Sequence, residues 1–420
     1  MKRESAFKGP KATVEFVSHE VGGVVGATAS GKLPRNEKQV TNVKHSMKCT
    51  QGSDASADHL FVVMQEAYTQ DRTNSFVRDV RTAPDPAIVL AYDHQLHSIV
   101  RFCTSSFEFG VLTIDPTFSL GEFDVTPITY QHLLLETRRS RCCPIFLGPI
   151  LIHYRKTFST YLFFASSLIG HNPQLQGVRV FGTDGEQALF DAFAHEFGFS
   201  QHLTCFIHVR QNIKEKLSAS QIPHEASKKI LDNIFGHRLG THFVEGLVDA
   251  SDSDDFQTKL DSLVQAWQAL ELPSSADMHS FVQWFVGKKA DVIRNTMLRP
   301  IREECGLGNP PQVFTTNASE SINALLKHKL DYKRAELPTF ISKVKELIAE
   351  QEREVERAVI NRGKYCFRPQ YRYLQVEEHK WFTMNTQQRT NHLQKVKCTA
   401  VQEVHELEVG LQKHCKKVFC

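Results

Sequence analysis

The run VLTIDPTF at residues 111–118 sets the reading of the whole chain, because it puts an aspartate, Asp115, inside a stretch of β-branched and apolar residues. VTPITYQHLLL (125–135) and PILIHY (149–154) share that β-rich composition, and SLGEF at 119–123 predicts a tight glycine-containing hairpin between the first two runs. RKTFSTYLFFASSLIG (155–170) has helical length and is stopped by Asn172-Pro173. GVRVFGTDGEQALFDAFAHEFG then reads as a buried strand at 178–183 running straight into an amphipathic helix with Leu189, Phe193 and Phe197 on one face. HLTCFIHV (202–209) is expected to be a fifth strand, and QNIKEKL the start of another helix.

Three strands, a helix, a strand, a helix, a strand and a helix form the order of an RNase H-like α/β sheet, in which three antiparallel strands are extended by parallel ones through right-handed crossovers. That assigns residues 111–220 to the first part of the core. Upstream, 59–110 is expected to hold a short amphipathic helix, DHLFVVMQEAY, and a pair of strands, PAIVLAY and HSIVRFC. Residues 1–58 are rich in Gly, Ser, Lys and Asn and read as a loosely structured basic arm. Downstream, 221–310 is helical in pattern, with FQTKLDSLVQAWQAL and HSFVQWFVGKKADVIRNTML as its clearest amphipathic runs, and reads as an insertion. At 311–350 the core returns through TTNASESINALLKHKL, a capped helix. The tail, 351–420, continues a long charged helix, KVKELIAEQEREVERAVINR, and is expected to dissolve into basic and polar residues.

Composition narrows the class. With 420 residues, 41% hydrophobic and 23% charged, the chain can bury a large core and is not predominantly disordered. No apolar window is long enough to cross a bilayer, and MKRESAFKGPKATVEF lacks the apolar run of a secretory signal, so a cytosolic-side chain is expected. The ten cysteines include no CxxC pair, which suits free thiols in a reducing compartment. The net charge of +3 is too small to mark a nucleic-acid binder. Its distribution says more: residues 1–50 carry about +5 and residues 319–420 about +6, so both ends are basic and the middle acidic, as suits a polyanionic partner.

Asp115 is the first candidate for chemistry. An ionised carboxylate in a buried strand costs several kcal/mol unless a cation compensates it; the ordinary alternative is a strand end facing water. Asp184, in GTDGEQAL, lies where a strand hands over to a helix, the place where open α/β sheets put their ligand sites. Its spacing to Gln187 also fits a capping box, and Asn317 with Glu320 fits another. Taken together, the three acids point elsewhere. The first and fourth strands of such a sheet are neighbours, so Asp115 and Asp184 would enter one cleft, and a helix after the insertion could bring Glu320 to its rim. Three converging carboxylates can hold two divalent cations about 4 Å apart for in-line phosphoryl displacement, and an all-oxygen site suits Mg²⁺ or Mn²⁺.

TIDPTFSLGEF, GTDGEQAL, CFIH (205–208) with Asn212 just beyond, and TTNASESINALLK, taken in order, resemble the transposase domain of Mutator-like elements, a group of DDE enzymes. The resemblance covers roughly residues 80–350. It implies an RNase H-like fold with a helical insertion before the third acid, and Asp115, Asp184 and Glu320 as a catalytic triad holding two Mg²⁺ or Mn²⁺ ions. It further implies cleavage and strand transfer of double-stranded DNA at transposon ends and targets, a homo-oligomer, nuclear residence and no membrane. The longer gap between acids, Asp184 to Glu320, is where the insertion would sit.

Cys205 and His208 match the group's Cys-x-x-His signature and are expected to support the site or the fold; as zinc ligands they lack two partners. Asn317, Asn323 and Lys327 match its third motif. Glu320, Asn323 and Lys327 recur at helical spacing and share a face, where Lys327 contacts a phosphate or is a solvated charge. Trp267 and Trp284 are expected in the insertion's core, with stacking on an unpaired base as the alternative. GKLPRNEKQVTNVKHSMK (31–48) and YKR (332–334) are candidates for DNA backbone contact, and Arg299 and Arg302 either brace the fold or touch DNA. Pro116 removes a strand donor, so the first strand must end or bulge there. No complete N-terminal zinc-binding or FLYWCH-like module is legible in the sequence, and Cys398, His405, His414, Cys415 and Cys420 do not give the spacing of a C-terminal SWIM finger. A derived DNA-binding or regulatory protein without turnover therefore stands beside the enzyme, with a structure-specific nuclease behind both.

Overall fold

The computed structural model describes residues 17, 60–65, 75–117 and 121–401. The basic segment 31–48, the tip of the SLGEF hairpin at 118–120 and the chain beyond 401 lie outside the described residues. The chain divides into two compact units, one of residues 1–69 with 336–338 and one of the remainder. Of the first, residues 60–65 are helical, inside the expected amphipathic segment.

The second unit is built on a mixed, seven-stranded α/β sheet. Its strands are β1 (Val77–Arg81), β2 (Ala87–Leu90), β3 (Leu112–Ile114), β4 (Asp124–Gln131), β6 (Ile145–His153), β7 (Val180–Thr183) and β8 (Gln201–Thr204). A short β5 (Leu135–Thr137) belongs to a separate small sheet. The order across the large sheet is β1-β2-β6-β4-β3-β7-β8. From β1 to β3 every pairing is antiparallel, whereas β7 joins β3, and β8 joins β7, in parallel. The expected three antiparallel and two parallel strands are therefore present, and the β1–β2 hairpin extends them at one edge. β6 is buried over Phe146–His153, as a strand paired on both sides and covered on both faces must be.

Helices α1 (Asp93–Cys103), α2 (Phe158–His171) and α3 (Gln187–Glu196) share one core with Leu112, Ile114, Ile128, Tyr130 and Phe181 of the sheet. Leu189, Phe193 and Phe197 all lie in that core. HSIVRFC is part of α1 and not a strand. Leu96, Ile99, Phe102 and Cys103 recur every three to four residues and are the buried ones, while buried Gln95 donates to the carbonyls of Leu147 and Gly148 at 2.8 and 3.0 Å.

The expected fifth strand also stops early. β8 ends at Thr204, and α4 (Phe206–Ala219) starts at once, with Val209, Ile213 and Leu217 buried at four-residue spacing. That face belongs to the core of the insertion, together with α5 (His224–Phe235), α6 (Ser253–Gln268), α7 (Met278–Phe285) and α8 (Asp291–Thr296). Two features of the insertion are not helical or not regular: a hairpin of β9 (His237–Leu239) and β10 (His242–Val244), and a π-helical turn, Val286–Ala290, between α7 and α8.

After α9 (Arg299–Glu304) the chain returns as α10 (Asn317–Lys329) and α11 (Leu337–Val359). The tail then forms β11 (Tyr365–Phe367), a 3₁₀ turn at Pro369–Leu374, α12 (Glu378–Thr383) and α13 (Thr386–Cys398), where irregular chain was expected. β11 pairs antiparallel with β5, and Phe367, Tyr371 and Leu374 enter the main core. Among the described residues no helix is long and apolar enough to cross a membrane.

A candidate acidic site at the strand ends

β3 and β7 run in parallel with Leu112 opposite Phe181 and Thr113 opposite Gly182. Asp115 and Asp184 each stand two residues beyond the Thr113/Gly182 pair, at the carboxyl ends of adjacent strands whose backbones are ~4.8 Å apart. β3 ends at Ile114, one residue before the aspartate and two before Pro116. The Asp115 N–H still donates to the Pro127 carbonyl at 3.4 Å, and pairing continues past Pro116 as a bridge between Thr117 and Val125, which accommodates the proline's missing donor.

Neither expected capping box forms. The cap position of α3 is Glu186, and Asp184 Oδ1 instead accepts from the Glu186 backbone N–H at 3.0 Å; between them Gly185 has φ +96°, a conformation glycine alone adopts freely. At α10 the cap position is Thr316, without a side-chain cap, so Asn317 and Glu320 lie within the helix. The capping explanation of both acids is thereby removed.

α10 lies over β4 and β3. Thr129 and Ser319 hydroxyls meet at 2.9 Å, and Asn323 Nδ2 donates to Asp115 Oδ2 at 3.3 Å. Its placement depends on the segment before it. Phe314 presses on Gly182, where a Cβ would stand 2.1 Å from the ring, and the Phe314 carbonyl accepts from Phe206 N at 2.9 Å. Gly182→Ala is accordingly expected to destabilise the protein by about 1–3 kcal/mol through overpacking, and to move Phe314 off the strand. Urea unfolding checks this; unchanged stability would show that the segment shifts without cost.

Asp115 is 6% exposed. Burial is the main cause that pushes its carboxyl up to about 7; Asp184 and Glu320 raise it further, and His208 and Lys156 oppose them. The three acids therefore lie within one electrostatic neighbourhood. Asp184 is half-buried and Glu320 exposed on the first turn of α10. Among the described residues, however, no three His, Cys, Asp or Glu side chains are gathered into a set that could hold a metal ion. The donor chemistry does fit a hard cation: the three acids offer carboxylate oxygens, and the buried Oδ1 of Asn323, beside Asp115, has no hydrogen-bond partner among the described residues.

Cys205, at the cap position of α4, and His208, in the first turn of that helix, follow the carboxyl end of β8. The Cys205 sulfur accepts from Thr316 N at 3.4 Å and Thr316 Oγ1 at 3.5 Å, which ties the start of α4 to the start of α10. Burial opposes ionisation of this thiol, but its close contact with His208 and the hydrogen bonds from Thr316 prevail and lower its pKa. His208 is pushed up to about 9, first by its contact with that sulfur against the cost of burial, then by the charges of Cys205, Asp184 and Asp115. By strict geometry the buried Nδ1 of His208 has no hydrogen-bond partner among the described residues, so the contact is one of proximity and charge. The charges of Asp184 and Asp115 thus add to the pull of the sulfur in favouring the protonated imidazole.

Asn212 is exposed on α4, Asn317 lines a cavity beside α10, and Lys327 is half-buried on the Glu320–Asn323 face. Arg302 braces the fold and is not available to DNA: it is 5% exposed and bonded to Asp249 Oδ1 and to the carbonyls of Met297, Val248 and Pro311. Arg299 is paired with Glu245. Trp267 is buried, with its indole N–H on Asn233 Oδ1 at 3.2 Å, whereas Trp284 is half-buried beneath Lys289. Sequence reasoning missed Thr316, Phe314 and Lys156. Only the spacing of Thr316 before the third motif could have signalled one of them.

The fold and these residues define an α/β protein with an acidic site at the ends of two parallel strands. No protein-family model matches the chain, and no curated protein matches it.

Proposed function

We propose that the chain is an RNase H-like DDE transposase domain of the Mutator-like type, which cuts double-stranded DNA at transposon ends and joins the freed 3′ hydroxyl to target DNA. The observation that carries this reading is the pair Asp115 and Asp184 at adjacent parallel strand ends, under a helix that carries Glu320 within their electrostatic reach. The strand order, with three antiparallel strands continued by two parallel ones, supports the fold assignment.

Bound Mg²⁺ or Mn²⁺, two ions held by Asp115, Asp184 and Glu320, would activate the attacking oxygen and stabilise the leaving one. The chain's own residues prepare the site. Asn323 orients Asp115 through its Nδ2 and offers Oδ1 as a neutral oxygen donor. His208 offsets the negative charge of the aspartates and steadies them before a cation arrives. Glu320, exposed and with three rotatable bonds, completes the set by side-chain rotation, while its backbone stays fixed by the Ser319 and Asn323 contacts. Nuclear residence and a homo-oligomer that brings two DNA ends together belong to the same reading.

Mg²⁺-dependent nicking of duplex DNA that disappears in Asp184→Asn is the expected result, read on a supercoiled plasmid with EDTA as control. The ungathered acids favour a second reading, a derived DNA-binding protein without turnover. Salt-sensitive binding with no cleavage at any concentration of Mg²⁺ or Mn²⁺ would establish that reading and remove the enzyme.

A further inference from the structure

We propose that the hollow between the two turns of the small β5–β11 sheet is a phosphate-binding pocket that seats the backbone of duplex DNA. Pairing of β5 with β11 folds two segments distant in sequence, 138–141 and 361–375, around a cavity of about 340 Å³. Its walls carry three arginines, Arg138, Arg141 and Arg372, with the amides of Asn361 and Gln375 between them.

Arg138 is held in place by neutral acceptors: its Nε donates to Gly363 O and its Nη2 to Asn361 Oδ1, both at 2.9 Å. The two turns are joined by Arg138 N to Lys364 O at 3.2 Å, and their curvature comes from left-handed residues, Arg141 at φ 60°, Asn361 at φ 56° and Gly363 at φ 80°. Arg141 is paired with Glu136, but Arg138 and Arg372 have no carboxylate partner among the described residues. Three guanidinium groups against one carboxylate leave this concave wall with a net positive charge, which suits an anion. The planar guanidinium fork matches the oxygens of a phosphate, and the two amides can serve a remaining oxygen. Exposed Arg139 and Lys364 on the same two turns extend the positive surface past what one phosphate needs, which favours a polyanion over a free ion.

The inference takes DNA from the proposed function but none of its chemistry; a DNA-binding protein without turnover would use the same pocket. The test is fluorescence anisotropy of a short labelled duplex with the full chain over a range of salt concentrations. Arg372 is exposed and has no ion pair to lose among the described residues, so Arg372→Ala and Arg372→Glu keep the fold, as thermal melting would verify. Arg372→Ala should weaken binding equally for unrelated sequences and reduce the slope of log affinity against log salt by about 1. Arg138→Lys, which keeps the charge and loses the fork, should weaken binding while leaving the slope unchanged. Wild-type affinity and slope in both Arg372 variants would overturn the proposal. Where the wild-type chain binds no duplex, the proposed function loses its DNA, and calorimetric titration with inorganic phosphate tests the pocket separately. Phosphate binding lost in Arg372→Glu would reassign it to a free phosphate and overturn the duplex contact, and no phosphate binding would overturn the pocket itself.

Discussion

On the proposed function, Asp115→Asn is expected to abolish divalent-dependent cleavage, by roughly 10³-fold or more, and at the same time to make the metal-free protein more stable at pH 8. The two effects share a cause. Burial, then the charges of Asp184 and Glu320, raise the folded-state pKa of Asp115 from 3.8 to about 7. Between pH 4 and pH 7 the folded chain therefore keeps a proton that the unfolded chain has released, and the contribution of this group to stability falls as pH rises through that window. Once the folded carboxyl has also ionised, the accumulated penalty is about 4 kcal/mol as an order of magnitude, at 1.36 kcal/mol per pKa unit. An asparagine carries none of it, and the Asn323 amide can turn its unpartnered Oδ1 toward the new donor. Urea unfolding in EDTA at pH 5 and pH 8 reads the difference: the wild type should lose stability relative to Asp115→Asn between the two. Equal pH dependence would mean that the carboxylate is compensated without a cation, and the case for metal there would be gone.

Arg302→Ala should cost about 3–5 kcal/mol. Its guanidinium is buried and serves one carboxylate and three carbonyls, from Met297, Val248 and Pro311. Truncation leaves Asp249, itself 8% exposed, as an uncompensated buried charge. The bond to Pro311 also anchors the chain three residues before Phe314, and hence the approach to α10. On the proposed function, cleavage is therefore expected to fall along with stability, through misplacement of Glu320. A double variant, Arg302→Met with Asp249→Leu, should recover part of the stability, since it leaves no charge behind although the three carbonyls and the Gly246 N–H lose their side-chain partners. Loss of less than 1 kcal/mol in Arg302→Ala would show the ion pair to be dispensable.

Much of the sheet was legible in the chain. β3, β4, β6 and β7 are runs of β-branched and apolar residues between turn residues, and such runs are strands wherever both faces are covered. HSIVRFC and CFIHV misled for one reason: a short apolar run carries no period of its own, and the helical spacing shows only when Leu96 is joined to Ile99 and Phe102, or Val209 to Ile213 and Leu217. The capping alternatives were fair on spacing, yet Glu186 and Thr316 took the cap positions because the backbone turn at Gly185 and the sulfur of Cys205 fixed where each helix begins.

The linear chain by itself determined which acids exist, that two of them close β-runs, and that a long insertion separates the third, because these follow from local residue chemistry and spacing. The tertiary structure decided that Asp115 is buried, that Asp184 and Glu320 act on its charge, that Arg302 is spent inside the fold, and that β11 returns to β5 to gather three arginines. Each of these depends on contacts between residues tens to hundreds of positions apart. Periodicity reports what a segment does with its own neighbours; the electrostatic environment of a side chain is set by whatever the rest of the chain packs against it.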